Sequence, residues 1–584
     1  MMNERAALPR DPTDHHTVAI RHRVIAGPIN RSFFVASVCG VLAYILWPSS
    51  PDWWAFGIFS VILGMGSAAL AIRGVQLLVR DYRLRRDLAF AQAVSVDHGS
   101  AQVAGRDERD TRGMHDWRSG DLLGVDEDGD PAFRPEDAVH GLYEMPSGVG
   151  KTVCHVIGSI LHHAMRGYSV LVSDPKQELG VMLAPKLREL GFEVWCANPT
   201  KAFMETCGDV ELNPYQALID AAHAQGAERL DAPQTAADYT TLHYPDEHQE
   251  RNAYFVFGSR RAMQFSELHT ALFDPANCTP TANYSLLTKP DRFLAKLHEC
   301  ANAEGLDEDD ALIELLRGEA KNLIHRARKT EENFGAFLEG ASQRLISFNP
   351  AGRLGHYGRG AIRNIRELRE RQIILFVMTP LSHQREFAAF TSLLNHNAIA
   401  AAKARPDGHR LHIVGEEALQ YRFSDLLSDL ETMRQLGVTM DFFIQSFAGL
   451  EKVYGRESAQ AIESYADIRV YAGLNSLARA KHVSEMLSER TLRKQDFSFN
   501  AEARDLGISS REFGRPFEKP NEILRMDRVD RWVFVRGMNP MKLRAVTYAE
   551  VWPWCDWVGP SPISGTRLHA QPLVSIDYGR KGAA

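Results

Sequence analysis

The sequence predicts an α/β fold behind a pair of apolar N-terminal helices, and three observations predict it. A short strand, a glycine-bearing turn, an amphipathic helix and a second strand follow one another between His140 and Ser173. Two uncharged apolar stretches, Ser32–Trp47 and Trp53–Ile72, stand ahead of them. The 584-residue chain is 45% hydrophobic and 24% charged, an ordinary globular composition that excludes wholesale disorder. At about 150 residues per domain, this length predicts about four structural units. A net charge of -7 excludes a globally cationic nucleic-acid coat, though not a local basic channel. The 7 cysteines (39, 154, 196, 207, 278, 300 and 555) contain no C-x-x-C pair, which predicts reduced thiols and neither a disulfide frame nor a zinc site.

The apolar stretches come first in the chain. The second, WWAFGIFSVILGMGSAALAI, is long enough at ~1.5 Å per residue to cross a ~30 Å hydrocarbon layer. The first, SFFVASVCGVLAYILW, is shorter and needs help from its flanks. Arg73 is expected to end the second span, because Arg at a helix centre costs about 3 kcal/mol in a membrane. The join, Pro48–Asp52, is a tight turn without Lys or Arg. Arg21, Arg23 and Arg31 precede the pair, and Arg80, Arg83, Arg85 and Arg86 follow it. The positive-inside rule then places both termini in the cytoplasm, with Trp47, Trp53 and Trp54 in an interfacial belt. A signal peptide is disfavoured because no small-residue cleavage site follows the first stretch. A buried soluble hairpin is the other alternative.

After a charged stretch, Asp97–Asp137, comes HGLYEMPSGVGKTVCHVIGSILHHAM over His140–Met165. Pro146, Ser147, Gly148, Val149, Gly150, Lys151, Thr152 and Val153 read as a phosphate-binding loop and its exit. Glycines let backbone N–H groups close around a β-phosphate, Lys151 reaches the β/γ oxygens, and the Thr152 hydroxyl ligates Mg²⁺. Met145 stands where the full pattern has its first glycine. The following helix is present, with Val153, Val156, Ile157, Ile160, Leu161 and Ala164 on one face. Its N-terminus would aim its positive dipole end at the phosphates. The next strand is Tyr168–Ser173. An ordinary glycine turn is the bland alternative, and Cys154, His162 and His163 read as packing or surface residues.

Such a loop needs a carboxylate at a neighbouring strand end to hold Mg²⁺ through water and to orient an attacking water. The best candidate is LHIVGEE, an apolar run that ends in Glu416 and Glu417 without the usual Asp. A later strand, Asp441–Gln445, ends in Gln445, where a γ-phosphate sensor would stand, a simple strand cap being the bland alternative.

These pieces, in this order, resemble the type IV secretion coupling proteins, the TraG/TraD-like conjugative DNA-transfer ATPases. LVSDPKQEL (Leu171–Leu179) is similar to that family's strand and DPKGE segment, and Leu212-Asn213-Pro214 to its FNP turn. Gly437–Tyr454, Gly473–Thr491, Gly514–Met526 and Trp532–Asn539 are similar to its GVR-to-LEK, GLND-to-GE, GRPL-to-PDEI and following-strand elements. The resemblance covers the anchor and most of 140–220 and 370–550. It implies a RecA-like P-loop domain carrying an inserted, mostly α-helical domain, behind a two-helix transmembrane anchor. Residue by residue, it matches Lys151 to the phosphate lysine, Thr152 to the Mg²⁺ ligand and Gln445 to the glutamine after the next strand. An ungapped match anchored on Arg434 and Gly437 puts Gly415 at the family's Mg²⁺-linked Asp and Glu416 at its catalytic Glu. A shift of one residue makes Glu416 the metal-linked residue and Glu417 the base.

The expected domains are an anchor at 1–95, nucleotide-binding parts at 96–220 and 369–557, an inserted cargo-recognition domain at 221–368, and a flexible tail at 558–584. Within the insertion, Phe293–Ala303 and Asp307–Arg328 read as helices, and 231–292 as loops and short elements. Arginines at 353, 359, 363, 366, 369 and 371 read as a solvated helix face or as phosphate contacts, including an arginine finger. Arg490 and Arg493 read in the same way.

The implied activity is that of a bacterial inner-membrane coupling ATPase, homohexameric when active, using ATP and Mg²⁺. It would bring single-stranded DNA with its relaxase, or protein effectors, to the secretion channel components. A membrane receptor that docks cargo without hydrolysis is the alternative from another class, and a chromosome-segregating DNA translocase is the alternative motor.

Overall fold

A computed structural model describes residues 31–47, 54–92, 100–244, 253–303, 310–361, 363–419, 421–423, 426–500 and 505–579. Arg21, Arg23, the turn at 48–52, Trp53, residues 307–309 and the last five residues lie outside them.

The chain forms two compact units, the first made of residues up to Ser100 together with Glu489–Arg515. Both apolar stretches are helical here, as Arg31–Ile45 and Trp54–Gln92. They pack on each other through small residues. Ser67 donates its hydroxyl to the Ala36 carbonyl at 2.7 Å, and the Phe33 ring lies where a Cβ on Gly74 would stand. Among the described residues, only the second helix is long and apolar enough to cross a membrane, over Gly57–Val79. Arg31–Ile45 falls short of the ~17 to 20 residues a span needs. Arg73 does not end the second helix. It sits inside the apolar window, because one cation is tolerated among so many apolar residues and no Pro follows it to stop the i→i+4 ladder. The same unit holds a hairpin of two long strands, Glu489–Asn500 and Asp505–Pro516.

In the second unit, the described residues form an 11-stranded sheet. Its strands in chain order are β1 Leu122–Val125, β2 Pro131–Phe133, β3 His140–Glu144, β4 Ser169–Asp174, β5 Glu193–Ala197, β6 Ile373–Met378, β7 Leu411–Glu416, β8 Val438–Ile444 and β9 Ile468–Tyr471. Counting the hairpin strands as β10 and β11, the sheet closes with β12 Asp530–Val535 and β13 Met541–Arg544. The spatial order is β2-β1-β13-β12-β9-β3-β8-β7-β4-β6-β5. From β9 to β5 every neighbouring pair is parallel, while β12, β13, β1 and β2 extend the sheet antiparallel.

The parallel strands read as unbroken apolar runs because both faces are covered. Leu171 packs into one core, and Val170 and Val172 into the other, which includes Ile157, Ile160 and Leu161 of the helix after the glycine turn. Parallel order also sends the carboxyl ends of β3, β4, β7 and β8 to the same edge of the sheet.

Between β5 and β6 the regular structure is helical. Pro290–Ala301 and Ala311–Lys329 match the two helices expected there. The stretch 231–292 is also mostly helical, as Ala232–His243, Ala253–Phe273 and Pro280–Leu287, which corrects the reading of loops. The reason is positional: Pro233, Pro280 and Pro290 occupy the first helical turns, where a missing N–H costs nothing, and Thr279 caps the Ala282 amide.

The arginines at 353–371 are not one helix face. Arg369 is buried and donates to the carbonyls of His409, Arg405, Pro406 and Leu436, while Arg371 pairs with Glu193 and Glu367. The tail is corrected as well. Residues 559–579 are largely exposed but held at points: Ser561, Val574 and Ile576 are buried, and strand β15 (Val574–Ser575) pairs in parallel with β14 (Val551–Trp552).

Candidate functional site

The turn leaves β3 at Glu144. Met145 donates its amide to the Ile444 carbonyl of β8 at 2.9 Å and buries its side chain in the core. Its φ is not positive, so a side chain is accommodated where the motif usually has glycine. The bends fall at Gly148 (φ 81) and Gly150 (φ 84), the left-handed region that favours glycine. Lys151 and Thr152 then open a helix whose first turn, Thr152–Val156, is wound wider than an α-helix before Ile157–Met165 continues it.

Two further contacts clamp this loop. The Arg531 guanidinium on β12 donates to the Val149 carbonyl at 2.7 Å. On the other side, Gly473 (φ 59) approaches so closely that an added Cβ would stand 2.6 Å from Val149 Cγ2.

The loop faces a charged cluster built from β7, β8 and the turn after β4. The Thr152 hydroxyl donates to Glu416 Oε1 at 2.8 Å, and Lys151 Nζ lies 3.2 Å from Glu417 Oε1. Gln445 Nε2 donates to both oxygens of Glu417, at 2.9 and 2.7 Å. Gln445 Oε1 in turn accepts from the Ser147 hydroxyl at 3.2 Å. Lys176 Nζ reaches Glu417 Oε1 at 3.4 Å and Glu416 Oε1 at 3.6 Å. Pro146 and Val153 flank the loop at its two ends.

Glu416 and Glu417 are both buried, yet their environments push them apart. Burial raises the Glu416 pKa, against the pull of Lys176, the Thr152 hydroxyl and Lys151. For Glu417 burial acts in the same direction, but Lys151, Lys176 and the Gln445 hydrogen bond outweigh it and hold the carboxyl below its usual range. Glu417 sits at φ 50, a strained conformation for a non-glycine residue, which turns its side chain from the sheet edge toward Lys151.

Every residue expected at the site from the sequence is therefore on this one edge. The sequence alone assigns no role there to three further contributors, Lys176, Arg531 and Gly473. The DPK motif holds the signal for Lys176. Its Asp174 carboxylate accepts from the Glu178 and Gly180 amides and so fixes the turn on which Lys176 rides. Burial lifts Asp174 to about 7.

The Thr152 hydroxyl and the Glu416 carboxylate are hard oxygen donors, and Glu416 Oε2 is buried without a hydrogen-bond partner. That donor set fits a magnesium ion that also takes phosphate oxygens and water.

Residues 410–528 match the family model described as the TraM recognition site of TraD and TraG. That stretch is similar to the TraG/TraD family. It contains β7, β8, both glutamates and Gln445, so the resemblance to the coupling family holds over the carboxylate half of the site. Among solved structures, the chain is similar to the plasmid coupling protein TrwB in complex with ADP and Mg²⁺, at 15% identity and a TM-score of 0.54, over 76% of this chain and 94% of that one. TrwB with the non-hydrolysable ATP analogue ADPNP gives 14%, 0.53, 76% and 93%. The unbound TrwB form lacking its N-terminal segment gives 15%, 0.52, 72% and 88%. At this identity the likeness establishes the fold, the mixed α/β, RecA-like architecture with a large parallel sheet. No curated protein matches the sequence.

Proposed function

We propose that this chain is a coupling ATPase of a conjugative or type IV secretion system. One observation carries the proposal: the P-loop residues Lys151 and Thr152 meet Glu416, Glu417 and Gln445 at a single sheet edge. Lys151 would bind the β/γ-phosphates, with the amides around Gly148 and Gly150 beside it. Thr152 and Glu416 would hold magnesium, which when bound withdraws charge from the terminal phosphate oxygens. Glu417, kept ionised by two lysines, accepts the proton of the attacking water, and Gln445 orients that water and registers the γ-phosphate. This assignment takes the shifted of the two sequence matches, with Glu416 on the metal and Glu417 as base. Nucleotide complexes of TrwB, which has the same fold, support ATP and Mg²⁺ as the ligands.

The TraM-recognition match supports a protein partner on the DNA-transfer side, with relaxase-bound single-stranded DNA or effectors as cargo. The helical residues 221–368 would recognise that cargo, and the sheet strands on either side, within 96–220 and 369–557, form the motor. Phe34, Tyr44, Ile62 and Met65 on the two N-terminal helices are highly exposed apolar side chains, which supports a lipid-facing anchor at 1–95; a two-pass topology further requires the flanks of Arg31–Ile45 to lengthen its span. The inner membrane, cytoplasmic termini and a homohexamer complete the reading.

The test is ATP turnover by the full chain in detergent, with and without single-stranded DNA, beside Lys151→Ala. DNA-stimulated turnover that vanishes in the variant is expected. Nucleotide binding without turnover at any protein concentration would favour the docking receptor.

A further inference from the structure

Glu416 and Glu417 place two carboxylates on adjacent residues, both buried, at 1% and 4% exposure. Two like charges at that spacing repel strongly inside a protein unless cations hold them. The cluster supplies two, Lys151 and Lys176, and they are not equivalent. Lys151 starts the P-loop helix, is buried, and touches only Glu417 among the two carboxylates. Lys176 rides on the turn after β4, keeps its side chain 23% exposed, and touches both. Its contact on Glu416 is Oε1, the oxygen that also accepts the Thr152 hydroxyl. Thr152 and Glu416 are the pair that the nucleotide reading assigns to magnesium.

We propose that Lys176 is a tethered stand-in for the divalent cation, its ammonium group neutralising Glu416 and Glu417 until magnesium enters with the nucleotide. The inference rests on the nucleotide reading and adds a positioning residue to it. A dication bound at Glu416 and Thr152 would lie beside the Lys176 ammonium, and the two repel. Lys176 is the cation of the cluster that can withdraw, because its stem is long and flexible and, of the two lysines, it is the one that reaches water. Asp174 anchors the turn beneath it, so the head group moves while the backbone stays. In the cation-free chain Lys176 keeps the carboxylates paired and ordered. It also weakens the site for a free divalent ion, so that the ion arrives together with phosphates that add their own negative charge.

The experiment is a Mn²⁺ titration followed by electron paramagnetic resonance, on the full chain in detergent and without nucleotide. Lys176→Met should bind Mn²⁺ about tenfold more tightly than the wild type or more, and Lys176→Arg should match the wild type. The gain should disappear in the double variant Lys176→Met/Glu416→Gln. Lys176→Gln serves as the second neutral variant where the methionine chain does not fold. Equal or weaker Mn²⁺ affinity in the neutral variants overturns the proposal, as does a gain that survives loss of the Glu416 charge. ADP binding measured on the same samples separates the two readings. A wild-type chain that binds ADP with Mg²⁺ while the Mn²⁺ affinities stay equal overturns the stand-in alone. A wild-type chain that binds no ADP overturns the nucleotide reading itself.

Discussion

Glu416 and Glu417 are neighbours in sequence with separate partners, because the backbone turns sharply between them. Glu416 closes β7 in extended conformation and meets the Thr152 hydroxyl, while Glu417 is left-handed and meets Lys151 and Gln445. The two should therefore fail differently. Glu417→Gln keeps shape and hydrogen-bonding capacity but removes the proton acceptor, so turnover should fall by about 10²- to 10⁴-fold while nucleotide affinity is retained. Glu416→Gln should instead remove the magnesium-dependent part of ADP affinity. Steady-state turnover and ADP titrations with and without Mg²⁺ distinguish the outcomes, and a turnover loss with retained affinity in Glu416→Gln but not in Glu417→Gln would restore the ungapped sequence match. The P-loop was legible because Gly148 and Gly150 are needed for conformation and Lys151-Thr152 for chemistry, all within one short string. Lys176 was not, since its role depends on β4 lying beside β7, a fact of strand order. Arg531 was hidden further still: it holds Val149 from 382 residues away.

At the scale of elements, the helices between β5 and β6 show why punctuation residues misled. Proline at a first helical turn reads like a loop in sequence, and only the buried faces behind it settle the matter. One buried group there has a measurable consequence. Glu267, on the helix Ala253–Phe273, accepts from the Tyr215 hydroxyl at 2.8 Å and from the Thr240 hydroxyl at 3.4 Å. Burial lifts its pKa to about 8, although both hydrogen bonds favour the charged form. The sign follows from proton linkage. As pH rises, the unfolded chain releases this proton near the ordinary glutamate value of 4.5, while the folded chain keeps it until about 8. Across that window the folded state loses up to about 1.4 kcal/mol per pH unit from this group alone. Thermal melts at pH 5 and pH 8 should therefore differ less for Glu267→Gln than for the wild type. An unchanged difference would mean that Glu267 is already ionised in the folded chain.

For the whole molecule, the sheet was legible in kind but not in order. Strand-loop-helix-strand patterning predicts α/β, whereas β12, β13, β1 and β2 join the sheet through antiparallel pairings that no local pattern announces. The C-terminal stretch is the clearest case, since its Gly-, Pro- and Ser-rich composition reads as a loose extension. It is instead laid over the helices that carry the site. Gly559 donates its amide to the Met182 carbonyl at 2.8 Å, and Ser561 donates to Glu178. The Tyr578 hydroxyl accepts from the Trp554 indole at 3.1 Å and lies 3.0 Å from His162 Nδ1, on the P-loop helix. Its ring meets Trp117 edge-on at 4.8 Å and stacks on Trp557 at 5.7 Å. Val574 and Ile576 each bury an apolar side chain worth about 1.5 to 3 kcal/mol, and removing them with the half-buried Tyr578 would expose the aromatic cluster it joins. Truncation after Val558 should accordingly lower the melting temperature of the full chain by about 5 °C or more. It should also weaken ADP binding, because Glu178 and His162 flank the two elements that position Lys176 and Lys151. Retained stability with weakened ADP binding would make the segment a lever on the site alone. If neither changed, its packing would contribute to neither, and the polar contacts to Met182, Glu178 and His162 would be incidental.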